Sequence, residues 1–109
     1  MQMLHHWIDG HAQPPESGGW LDVFNPATAQ PHARVARGNT RDIESAVAAA
    51  GAAFPRWSAL RNSERAAWLE KLAAALEARI DDFARAESLD GGKPFALARD
   101  AEIPRAVSN

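Results

Sequence analysis

Four histidines, a Gly-Gly-Lys tripeptide, two adjacent aspartates and four tryptophans are the residues here whose types could carry chemistry. Zinc binding on a helix needs ring nitrogens at i, i+4 spacing with a carboxylate close by. His5, His6, His11 and His32 do not show that spacing, and the plain reading is exposed histidines near the terminus and on a strand. A phosphate loop needs glycines at fixed offsets, so that backbone N–H groups reach phosphate oxygens, and a hydroxyl residue after its lysine. Around Gly92-Lys93 the first glycine position holds Glu87 and the hydroxyl position holds Pro94, which excludes that chemistry.

No G-x-G-x-x-G fingerprint is present, so the strand–turn–helix that grips a dinucleotide pyrophosphate is missing. No serine occupies a G-x-S-x-G elbow. Asp81-Asp82 reads as a solvated helix face rather than an acid/base pair. Trp7, Trp20, Trp57 and Trp68 lack the interleaved basic residues of a base-stacking surface and read as core and hairpin residues. The absence of cysteine excludes a disulfide scaffold, a zinc finger and a thiol nucleophile. No catalytic, cofactor-binding or metal-ligating residue is assigned on these grounds.

The elements that would position such residues fit into 109 residues, enough for one small domain and too few for a two-domain enzyme. The hydrophobic fraction of 46% and charged fraction of 24% are those of a globular chain. A net charge of −2 leaves no basic footprint for nucleic acid and no polybasic stretch for an anionic membrane. No apolar run approaches the ~20 residues of a membrane span, and Met1 to His6 lack the pattern of a signal peptide. The expected location is the cytoplasm.

Residues 1–38 read as strands and turns. Leu4 to Ile8 is apolar and aromatic, and Asp9-Gly10 is a turn dipeptide that reverses the chain into a hairpin. Gln13 to Gly19 is a loop. Trp20 to Phe24 is a strand stopped by Asn25-Pro26, and Pro31 to Arg37 is placed to pair back onto it. Residues 39–109 read as three amphipathic helices, favoured by 24 alanines concentrated after Arg41. In the first, Asn39 caps the start with Asp42 in the first turn. Ile43, Ala46, Val47, Ala50 and Phe54 share one face, Pro55 ends the helix at about Phe54, and Trp57 packs beneath the next turn. A longer helix runs from about Ser63 to Leu89. Asn62 or Ser63 caps it, Leu69, Leu72, Ala73, Leu76, Ile80 and Phe83 form its stripe, and Gly91-Gly92 close it. Phe95 to Asn109 is helical again, with Ile103-Pro104 as a boundary or kink. A chain ending in mid-pattern, without cap or polar tail, is expected to be truncated at its C-terminus.

Taken in order, Ile8-Asp9-Gly10, Asn25-Pro26-Ala27-Thr28, Ala46 to Ala50, Ala53-Phe54-Pro55-Arg56-Trp57 and Asp90-Gly91-Gly92-Lys93-Pro94 resemble the amino-terminal part of the NAD(P)-dependent aldehyde dehydrogenases. Each motif is weak alone; their order and spacing cover nearly the whole chain. Ala29 and Gly91 depart from the family's usual glycine and polar residue, and both departures concern turn geometry. Within the family, Ala96-Leu97-Ala98-Arg99, Glu102-Ile103-Pro104-Arg105 and Asn109 look most like the branch acting on 2-amino- or 2-hydroxymuconic semialdehyde, with the betaine-aldehyde type branches competing.

The resemblance implies an α/β fragment: amino-terminal hairpins and three helices forming a peripheral part of a cofactor-binding domain. It implies a complete enzyme, usually a homo-oligomer, that oxidises an aldehyde to a carboxylic acid with NAD(P). A cysteine thiolate attacks the carbonyl, an oxyanion site holds the alkoxide, hydride passes to the nicotinamide, and a glutamate activates water. In the family pattern all of these residues lie beyond Asn109, so this chain is expected to be inactive and to bind no cofactor by itself. The family often holds a monovalent cation with positions matching Glu102, Val23 and Phe24; a surface glutamate is the plainer reading, and no ion is assigned. The alternative function is a non-catalytic structural or interaction module that pairs with another chain.

Overall fold

Asp9 and Gly10 both take positive φ, 53° and 76°, the combination a tight reversing turn between antiparallel strands requires. A computed structural model describes Met1–Asn109 throughout. The turn joins β2 (His6–Ile8) to β3 (His11–Gln13), with His6 opposite Gln13 and Ile8 opposite His11. β1 (Gln2–Leu4) is a separate strand, so the apolar run Leu4 to Ile8 is divided between two sheets. β1 pairs in parallel with β5 (Gln30–Ala36), and β4 (Trp20–Asn25) lies on the other side of β5, giving the order β1-β5-β4. The return of Pro31 to Arg37 onto Trp20 to Phe24 is as expected. The parallel partner was not, because nothing local announces a pairing across thirty residues.

The chain forms two compact units, Met1–Phe24 with Gln30–Ala59, and Asn25–Ala29 with Leu60–Asn109. In the first unit, α1 (Thr40–Ser58) lies against β2. Its start is a capping box: the Asn39 side chain accepts from the Asp42 N–H at 3.0 Å, and the Asp42 carboxylate accepts from the Asn39 N–H at 3.0 Å. Contrary to expectation, the helix continues through Pro55 to Ser58. The carbonyl left without its donor belongs to Gly51, which is exposed, and one further turn closes with Ala59 N–H on the Pro55 carbonyl at 3.2 Å. Trp57 is 42% exposed rather than packed beneath that turn. Trp7 and Trp68 are also exposed, so the tryptophans are not core residues.

In the second unit, the long helix read over Ser63 to Leu89 is two helices, α2 (Asn62–Glu77) and α3 (Ile80–Gly91). The break is a tightened turn in which the Arg79 N–H bonds the Leu76 carbonyl at 3.0 Å, and Arg79 leaves helical geometry at φ −128°, ψ 30°. α2 is capped at Arg61, not Asn62 or Ser63. Glu64 accepts from the Arg61 N–H at 2.8 Å, while a guanidinium, which only donates, cannot return the bond. α3 ends on Gly92 in the left-handed region at φ 73°, as the sequence indicates. There a side chain would also strike Pro26, its Cβ falling 2.8 Å from Cγ.

α4 (Phe95–Leu97) leads into one π turn, Ala98–Glu102, and then α5 (Ile103–Ser108). The π turn closes with Ile103 N–H on the Ala98 carbonyl. Pro104 lacks the N–H that an α-helix would give to Asp100, and widening the preceding turn relieves its ring. Of the boundary or kink expected at Ile103-Pro104, the structure shows the boundary: the π turn gives way to α5 at Ile103.

Strands followed by helices make the α/β class correct. The buried apolar residues are Ile8 and four alanines, Ala33, Ala36, Ala84 and Ala98, with no large side chain fully buried. Ile43, Val47, Phe54, Leu69 and Leu72 are all more than half exposed. A hydrophobic dye should bind the purified chain, and its thermal melt should be broad; a sharp two-state melt without dye binding would overturn that expectation.

Turn geometry yields a paired stability prediction. Ala29, at φ 57°, is a non-glycine residue in the left-handed region, which explains why glycine is usual there. Ala29→Gly should stabilise by about 0.5–1 kcal/mol, since relief of about 1–2 kcal/mol exceeds the entropic cost of glycine. Gly92→Ala should destabilise by at least about 1 kcal/mol, from conformation and the Pro26 clash together. Denaturant midpoints of the two variants check both signs.

Candidate functional site

Two polar clusters join ionisable groups from separate elements. In the first unit, Asp42 is the centre. Besides closing the α1 cap, its carboxylate accepts from the Glu16 N–H at 3.1 Å and lies 3.5 Å from His6 Nε2. Glu16 in turn accepts from Asn39 Nδ2 at 2.6 Å and from Arg41 at 3.0 Å, tying the 14–19 loop to the helix start. The Asn39 N–H foremost holds the Asp42 carboxyl below the usual range, against the opposing effect of burial, with Glu16 and His6 assisting. A carboxylate saturated with backbone donors is a poor base. The His6–Asp42 pair is thus a structural contact.

The second cluster centres on Lys93, immediately after the Gly92 cap. Its Nζ lies 3.1 Å from Glu87 on α3 and 3.4 Å from Glu102 in the π turn. The hydrogen bond to Glu87 chiefly raises its pKa, despite partial desolvation and with help from Glu102. A nucleophilic lysine needs the opposite shift. Lys93 is a fixed cation joining two helical segments. Sequence reasoning dismissed Gly92-Lys93 as a phosphate loop and missed this bridge.

The other singled-out residues do not converge. His5 sits edge-on to Trp20 at 5.2 Å. His11 Nδ1 lies 2.6 Å from the Asp9 carbonyl within the hairpin. His32 is half-buried on β5. Asp81 and Asp82 are exposed in the first turn of α3, where they suit the helix dipole, and Asp82 pairs with Arg79 at 3.1 Å. No three His, Asp or Glu side chains come together in metal-binding fashion. Glu102 is engaged by Lys93, and Val23 and Phe24 belong to β4.

Helix starts are the places where backbone donors most readily seat a phosphate. At α1 those donors face Asn39 and Asp42, at α2 they face Glu64, and α3 opens on two aspartates. These donor sets do not fit an anionic pyrophosphate. What the two clusters can do is position elements.

The chain thus brings together a strand-rich start, capped amphipathic helices and a Gly-Lys-Pro turn locked by carboxylates. Residues 13–109 match the aldehyde dehydrogenase family model, and the chain belongs to that family. It is 43% identical over 107 residues to human 2-aminomuconic semialdehyde dehydrogenase, covering 98% of this chain and 22% of that protein. It is 39% identical over 110 residues to 2-hydroxymuconic semialdehyde dehydrogenase of Pseudomonas sp. CF600, covering 100% and 23%. Among solved structures, PnpE in complex with nicotinamide adenine dinucleotide superposes with a TM-score of 0.93 at 38% identity, covering 98% of this chain and 22% of that one. The chain thus spans little more than a fifth of the relatives it matches.

The charge clusters predict a pH profile for stability. Asp42 has a depressed folded pKa, so its contribution is present above the unfolded value, about pH 3.9, and is lost as pH falls through the folded one. Lys93 is raised, so its contribution holds below about pH 10.4 and is lost as pH rises through the folded pKa. Urea midpoints against pH should show both limbs. Asp42→Asn should flatten the acid limb and Lys93→Met the alkaline one.

Proposed function

We propose that this chain is the amino-terminal segment, residues 1–109, of an enzyme that oxidises an aldehyde to a carboxylic acid with NAD(P), and that its aldehyde is of the muconic semialdehyde class. The observation carrying this reading is the end-to-end identity of 43% and 39% to two dehydrogenases named for muconic semialdehydes. The working enzyme in this reading is a cytoplasmic homo-oligomer.

The chain's own part is positional. It has no thiol to attack a carbonyl, and Lys93 and Asp42 are tied up in opposite charge states. Its helix starts carry carboxylates that disfavour a pyrophosphate. NAD(P) supplies hydride acceptance when bound to the complete enzyme, and the residues that hold it lie in the remainder. Within the segment, the capping box fixes where α1 leaves the strands, and the Lys93 bridge fixes α3 against the π turn.

The second reading, a non-catalytic module that pairs with another chain, is favoured by the exposed stripe Ile43, Val47, Leu69 and Leu72.

NADH absorbance with a panel of aldehydes that includes 2-hydroxymuconic semialdehyde tests both. The 109-residue chain alone should give no turnover and no saturable NAD binding by calorimetry. Turnover by the chain alone, in a preparation cleared of host dehydrogenases, would defeat the positional role.

A further inference from the structure

We propose that Asp9 is a modification site, where the backbone isomerises spontaneously to isoaspartate through a succinimide, while Asp90 is protected from the same reaction. The chain has two Asp-Gly pairs, Asp9-Gly10 and Asp90-Gly91. Glycine has no side chain to shield its nitrogen, so both pairs are chemically competent. The fold treats them oppositely.

In the reaction the Gly10 nitrogen attacks Cγ of the un-ionised Asp9 carboxyl. A C–N bond forms, the amide proton and the carboxyl hydroxyl leave as water, and a five-membered imide results. Water then reopens the ring. Attack at Cγ restores aspartate; attack at the main-chain carbonyl leaves Gly10 joined through Cγ, which is isoaspartate. No oxidant, reductant or other reagent is needed.

Asp9 is exposed, and nothing lies within 4 Å of where a Cβ would stand on Gly10. The Gly10 N–H, in the turn, bonds no backbone carbonyl. Asp9 sits at φ 53°, so the rotation that brings the Gly10 nitrogen over Cγ takes a non-glycine residue out of the left-handed region. The flanking strands have three residues each in a two-stranded sheet, a hairpin that opens readily. His11 Nδ1 lies 2.6 Å from the Asp9 carbonyl, and a carbonyl only accepts, so the ring nitrogen donates. That bond draws electron density from the amide whose nitrogen attacks, easing loss of its proton.

Asp90 and Gly91 instead close α3, where the Gly91 N–H is turned to the carbonyl four residues back. This helix end is held down. Gly92 lies against Pro26, and Lys93 ties Glu87 to Glu102. The consequences differ too. Isoaspartate adds a methylene to the backbone between Ile8 and His11, whose pairing the two-residue turn sets. Ile8 is the largest buried apolar residue, so the change would unseat it.

The test incubates the 109-residue chain in warm, mildly acidic buffer, folded and in urea, and follows both peptides by chromatography and mass spectrometry after digestion. In the folded chain isoaspartate should accumulate at position 9 at least about ten-fold faster than at 90, because only the latter must first unwind a held helix end. A species lighter by one water should precede it. In urea the two rates should come within about two-fold of each other. Asp9→Glu, which can reach only a slower six-membered ring, should remove the signal at 9, with circular dichroism showing the fold kept. His11→Phe should slow the reaction at Asp9; an unchanged or faster rate overturns the assistance from His11. Equal rates in the folded chain, a faster reaction at Asp90, or a difference that persists in urea overturns the assignment of Asp9.

Discussion

Everything else in this chain answers to one constraint: what it buries is mostly alanine. Ala33, Ala84 and Ala98 are fully covered, Ile8 and Ala36 nearly so, and no large side chain is. A methyl group lets backbones approach closely but adds only about 0.8 kcal/mol when buried. With so little hydrophobic stabilisation, helix ends and turns matter more than they do in a well-filled domain. That is where the structure is most determined: the two-way cap at Asn39 and Asp42, the Glu64 carboxylate on the Arg61 N–H, and the left-handed Gly92.

Those local devices were also the legible part. Asp9-Gly10, Asn39 with Asp42, and Gly92 before Pro94 each state their geometry within four residues, because the physics that fixes them is a φ angle or one side-chain bond. What was not legible depends on partners far away. The parallel pairing of β1 with β5 needs residues 2–4 and 33–35 together. The break between α2 and α3 has no glycine or proline to announce it, although Asp81-Asp82, read as a solvated face, are also the acidic first turn of a new helix. Proline misled in one place and informed in another. Pro55 was absorbed because the carbonyl it strands is on exposed Gly51, whereas Pro104 forces a π turn.

The candidate site was partly legible for the same reason. The sequence excluded a phosphate loop at Gly92-Lys93 on residue type, but it could not bring Glu102 to Lys93. That contact exists because the π turn rotates the helix before Pro104, placing a carboxylate nine residues downstream within 3.4 Å of the ammonium. The departures from family pattern are now physical. Ala29 sits at φ 57°, a left-handed position where glycine is unstrained. Gly91 is the last residue of α3, with ordinary space around its Cβ position, so a polar residue fits there and glycine is a local weakness.

The charged groups follow the same logic as the core. A catalytic carboxylate or amine is held so that its proton can leave or arrive near working pH. Asp42 and Lys93 are shifted the other way, each towards its charged form, by partners that also join separate elements. Glu16 and the Asn39 N–H bind Asp42 to a loop and a cap; Glu87 and Glu102 bind Lys93 to a helix and a π turn. Fixed charges of this kind hold geometry in a segment whose core cannot, and they do so while leaving the leucine stripe of α2 open.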